Sequence, residues 1–88
     1  MYNRVYDVEQ KIDGLVWLFQ SLYGLSNDWL GDCYPIEILR LEDRMELAKN
    51  DEEYNMYYQE AYDLLQFWAK DAFERESLER QETYAKQI

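Results

Sequence analysis

The sequence predicts an all-α fold: a small antiparallel three-helix bundle with a long, projecting C-terminal helix. Three observations carry this. Apolar residues recur at alternating steps of three and four in three segments, the spacing that lines one face of a helix. Period-two alternation is absent and β-branched residues are few, so no strand is predicted. Helix-breaking residues after the first segment gather in one stretch, with Gly24, Gly31 and Pro35 between positions 24 and 35. The 88 residues read as a single domain, 1–88, without an internal repeat, a Pro-rich linker or a second core.

The first helix is expected over about 3–23. Val5, Val8, Ile12, Leu15, Phe19 and Leu22 form its inward stripe, and Asp7 and Glu9 suit the positive end of its dipole. Gly24 can take the left-handed conformation that ends a helix, with hydrophobic Leu25 following. Residues 24–34 form a loop with one short helical turn at Asp28-Trp29-Leu30, where Trp29 and Leu30 fold back to plug one end of the core. Tyr6, Asp13 and Trp17 lie opposite the first stripe, so Trp17 is either covered by another element or exposed.

Pro35 fits the first turn of a second helix, over about 35–49, because its missing N–H is not needed there. Ile38, Leu41, Met45 and Ala48 point inward, and Leu39 and Leu47 widen that stripe. Asn50 followed by Glu53 reads as a capping box that restarts the chain, with a continuous helix through Asn50 as the competing reading.

The third helix is expected over about 51–86. Its inward stripe is Tyr54, Tyr58, Ala61, Leu65, Trp68 and Ala72. Beyond Phe73 the pairs Lys70/Glu74, Asp71/Arg75, Arg75/Glu79, Glu76/Arg80 and Glu82/Lys86 stand four apart. Each such pair stabilises an exposed helix by about 0.2–0.5 kcal/mol, enough together to extend it past the core.

Composition narrows the function. The net charge is −10, from 19 acids against 9 bases. Nucleic acid and anionic membrane are therefore not expected as direct ligands, since both would repel the chain. No residue is histidine, which removes imidazole as base, shuttle or metal ligand. Calcium loops need alternating oxygen ligands closed by a bidentate Glu, and Asn27 to Asp32 lacks that closure. Helical di-metal sites need Glu-x-x-His. No cofactor or metal is expected, and paired carboxylates such as Glu60/Asp63 lack the surrounding polar anchors of an active site. The lone Cys33 forms no intrachain disulfide and stands beside Asp32, which disfavours a thiolate. The N-terminal segment has no signal-peptide core and the longest apolar run is Leu15–Phe19, so a reducing cytoplasm is expected.

The acid is unevenly placed. Residues 51–69 carry Asp51, Glu52, Glu53, Glu60 and Asp63 with no base, half of the net charge. At 100° per residue, Glu52, Glu53, Glu60, Asp63, Asp71 and Glu74 share a sector about 100° wide, away from the core stripe. Met56 and Phe67 stand three turns apart within it, while Tyr62 and Phe73 repeat that spacing on another flank. One reading is a solvated face with incidental apolar residues. The other is a recognition surface, with carboxylates steering a basic partner and Met56 and Phe67 anchoring it.

With these residues in view, the stretch DEEYNMYYQEAYDLLQFWAKDAF (51–73) resembles small acidic all-helical phage anti-defence inhibitors, the anti-restriction DNA mimics and anti-CRISPR proteins. The resemblance is compositional and spans the whole length. It implies a non-enzymatic inhibitor, acting in the host-cell cytoplasm, that blocks a basic nucleic-acid-binding protein such as a Cas effector or a restriction enzyme. Glu52, Glu53, Glu60, Asp63 and Asp71 are then the expected partner-binding acids, with Met56 and Phe67 as apolar anchors. A structural or adaptor protein that pairs helix-to-helix through Met56, Phe67 and Tyr62, as a homodimer for instance, is the alternative.

Overall fold

The computed structural model describes residues 4–86, with side chains described through residue 79. Three helices follow in order: α1 (Arg4–Tyr23), α2 (Ile36–Glu46) and α3 (Asp51–Lys86). Each packs on the other two, and no strand occurs among the described residues. Successive helices run antiparallel. The first and third are parallel, since Asp7 meets Tyr54 near their N-termini and Tyr23 meets Phe73 at the far end of α1.

The stop of α1 follows from Gly24, whose φ of +62° is left-handed. The Leu25 N–H then donates back to the Gln20 carbonyl at 2.9 Å, the outer bond of a Schellman motif. Leu25 is buried as a result, a core residue that helical spacing does not reveal. Pro35 is the N-cap of α2, just outside the helix, and its carbonyl accepts from the N–H groups of Ile38 and Leu39. At the other end α2 stops at Glu46, three residues short of the expected end at Lys49. Asn50 restarts the chain, its Oδ1 accepting the Glu53 N–H at 2.8 Å. That is the capping arm expected of Asn50, so the chain does not run as one helix through this point.

The core takes Val8, Ile12, Leu15 and Phe19 from α1, Ile38, Leu41 and Met45 from α2, and Tyr54, Ala61, Leu65, Ala69 and Ala72 from α3. Ala48, between α2 and α3, is also buried, while Tyr58 and Trp68 pack partly buried against this core. Two edges of the expected stripes are corrected. Val5 and Leu22 are exposed, because a 3.5-residue spacing drifts about 20° per heptad on a straight helix and turns the stripe's two ends away from each other. Leu39 and Leu47 are exposed too: the first points about 120° from the Ile38–Leu41–Met45 face, and the second lies at the C-cap.

The short α2 leaves the far half of the α1–α3 seam without a third helix. The loop fills that gap. Trp29 and Leu30 pack against the core, within turns closed by Trp29 N–H to Ser26 and Gly31 N–H to Asp28, rather than in a helical turn. Ser26 Oγ donates to Glu76 at 2.8 Å and ties the loop to α3. At about 54 Å, α3 nearly accounts for the longest dimension of the molecule, 59 Å against 21 and 20 Å across.

Candidate protein-binding face

Helix α3 is bordered by two supports. Towards α1, Tyr54 donates its hydroxyl to Asp7 at 2.9 Å, Lys11 sits 4.6 Å from the Tyr54 ring centre, and Phe19 meets the Tyr62 ring edge-on at 5.2 Å. Burial and the Asp7 hydrogen bond hold the Tyr54 hydroxyl above its ordinary pKa. Towards α2, Glu60 borders a shallow depression with Glu37, Arg40, Leu41 and Arg44. The remaining side of α3 faces outward.

Most of the residues singled out from sequence stand on that side, with Glu60 at its α2 edge near Arg40 and Arg44. Met56 is 51% exposed and Phe67 is 68% exposed, so neither belongs to the protein's own interior. Glu52, Glu60, Asp63 and Asp71 are exposed and Glu53 is half-buried. Their surroundings differ. Asp63 accepts a hydrogen bond from Gln59 at 2.9 Å, and Asp71 pairs with Arg75 at 3.1 Å, which discounts its charge. Among the described residues Asp71–Arg75 is the pair of the expected C-terminal series that reaches ion-pair distance. Glu76/Arg80 and Glu82/Lys86 lie outside the described side chains. Tyr62 is half-buried against Phe19, so it belongs as much to the core as to a docking face.

Of the two placements expected for Trp17 the structure shows the exposed one, with Tyr6 and Leu18 also open on α1. One further feature of the surface is not legible from spacing. A second concentration of acid lies between α1 and α2, where Glu42 is half-buried near Glu9, Asp13, Asp43 and Glu46. Burial first, then these neighbouring carboxylates, raise its pKa to about 7. Tyr34 donates its hydroxyl to Asp13 in the same cluster, and burial together with that acceptor raises the phenol. Among the described residues no group of three Asp, Glu, Cys or His side chains is placed to hold a metal ion. None of their helices is long and apolar enough to cross a membrane.

No protein-family model, curated protein or solved structure matches the chain.

Proposed function

We propose that the chain is a non-enzymatic, protein-binding inhibitor whose α3 face occupies the basic surface of a nucleic-acid-binding protein, of the CRISPR-effector or restriction-enzyme type. The observation that carries this is the exposure of Met56 and Phe67 on a helix face rich in carboxylates. A Lys- and Arg-lined channel built to hold phosphates attracts such a face. Carboxylates four to seven residues apart on a helix stand about 6–10 Å from one another, comparable with phosphates along a strand. Desolvated apolar anchors supply short-range affinity that carboxylates alone do not.

Self-association through Met56, Phe67 and Tyr62 is the weaker reading, because Tyr62 is engaged with Phe19 and two such faces carry the same charge. The test is capture from host lysate with the wild-type chain and with Glu60→Lys/Asp63→Lys, each checked for helicity by circular dichroism. The expected partner is retained by the wild type alone, and its nucleic-acid binding falls when the wild type is added. Equal capture by both chains overturns the site, and a captured partner that still binds nucleic acid overturns the inhibitor reading.

A further inference from the structure

The apolar positions on the outer face of α3 do not end with Phe67. Leu78 follows eleven residues later, as Phe67 follows Met56, and it is 59% exposed. Eleven residues turn a helix through three full revolutions plus about 20°, so the three side chains form a nearly straight row. They stand about 16 Å apart and span about 33 Å. Six carboxylates (Glu52, Glu53, Glu60, Asp63, Asp71 and Glu74) and one α3 base, Lys70, share their sector, with Arg40 and Arg44 of α2 at the Glu60 edge and Arg75 paired to Asp71. Leu78 also borders a shallow apolar depression with Phe73 and Ser77.

Resting on the acidic-face reading above, we infer that the segment seated on this row is a basic amphipathic α-helix of the partner, lying along α3 from Met56 to Leu78. Geometry separates a helix from an extended chain. A strand covers 16 Å in about five residues, an odd number, so its successive anchors would point to opposite faces and could not all reach the row. A helix with apolar residues at the same eleven-residue repeat keeps one face on all three posts. Lysines and arginines beside its apolar row then fall opposite the carboxylates, the arrangement by which flanking charges set register and partner choice.

Charge separates this occupant from a second copy. A two-fold axis through Phe67 would set Met56 against the second copy's Leu78, a good apolar match. It would also set Glu60 against Glu74 and Asp63 against Asp71. A parallel in-register pair places every acid beside its own counterpart. Both arrangements are repulsive, so the helix that fits must be cationic.

Two synthetic helical peptides of about 24 residues, long enough to span the row as helices, test this by fluorescence anisotropy. Both contain the same leucines, lysines and alanines. One carries leucine at every eleventh position, and in the other the leucines are spread around the helix. The in-register peptide is expected to bind at least about tenfold more tightly, and Phe67→Gln and Leu78→Gln each to weaken it about fivefold or more. Neither substitution should alter binding of the scattered peptide. Equal affinity for the two peptides, an unaltered Leu78→Gln chain, or no binding of either overturns the helix assignment. Capture of a natural partner through Glu60 and Asp63 would still stand after any of those results. In-register binding that survives Glu60→Lys/Asp63→Lys would instead remove the acidic face itself.

Discussion

The Arg4 guanidinium donates to the carbonyl of Ala48 at 2.6 Å, joining the first turn of α1 to the chain just beyond α2. The same nitrogen lies 3.3 Å from the Glu46 carbonyl. Carbonyls at a helix end have no intrahelical partner and carry the negative end of the dipole, so a cation placed there satisfies both needs. Arg4→Ala should destabilise the protein by about 1.5–3 kcal/mol, the range for hydrogen bonds to charged groups. Chemical denaturation reads this directly, and an unchanged midpoint would show the contact to be idle.

Glu42 gives stability a definite pH dependence. Its ordinary pKa of 4.5 is raised to about 7 in the folded chain, so between those values the native state holds a proton that the unfolded state has lost. Its contribution therefore favours folding below about pH 4.5 and is lost as pH rises through 7. Glu42→Gln removes the titration. Discounted for solvent screening of a half-buried group, the gain at pH 8 is about 1 kcal/mol, or roughly 4–8 °C in Tm for a domain of this size. Thermal melts at pH 5 and pH 8 check it: the variant's advantage should be full at pH 8 and shrink to a small fraction of that at pH 5.

These two contacts also mark the limit of what the chain discloses before its structure is known. Buried Val8, Ile12, Leu15 and Phe19 were legible because burial on a helix is periodic, and the Asn50 cap because capping is local. Exposed Met56 and Phe67 were legible by the same arithmetic, as apolar residues out of phase with the core. Arg4 to Ala48 spans 44 residues and has no periodic signature. Burial of Leu25 and the short reach of α2 likewise depend on how the loop closes, not on spacing. Opposite errors arose at Val5 and Leu22, where a regular pattern ran past the surface that could cover it.

Trp29 packs against the core with its indole N–H buried and without a hydrogen-bond partner. An orphaned donor costs about 1–3 kcal/mol, so its removal offsets the loss of part of the ring. Trp29→Phe should therefore lie within about 1 kcal/mol of the wild type. Trp29→Ala, which empties the space, should cost about 3 kcal/mol. Equal losses for the two variants, measured by urea denaturation, would mean that the indole nitrogen carries stability after all.

Leu65 and Phe67 are near neighbours on α3 with opposite surroundings, the first fully buried and the second open. Leu65→Ala should cost about 2–5 kcal/mol through lost contacts and the cavity left behind. Phe67→Gln should change stability by no more than about 0.5 kcal/mol, as is usual for an exposed site. A large loss on altering Phe67, seen in thermal melts of the free chain, would identify it as part of the fold rather than as a binding anchor.

The two chemistries of the α3 face should separate in binding kinetics. Carboxylates act at a distance, so Glu60→Lys/Asp63→Lys should slow association with the partner, and the wild-type association rate should fall steeply as salt rises and the screening length shrinks. Met56 and Phe67 act only on contact. Met56→Gln and Phe67→Gln should therefore leave association nearly unchanged and speed dissociation, by about tenfold each if both are buried at the interface. Surface plasmon resonance at two salt concentrations resolves the four rates. Charge reversal that changed only dissociation would place Glu60 and Asp63 inside the contact as buried ion pairs, and apolar substitutions that left dissociation untouched would strip Met56 and Phe67 of their role as anchors.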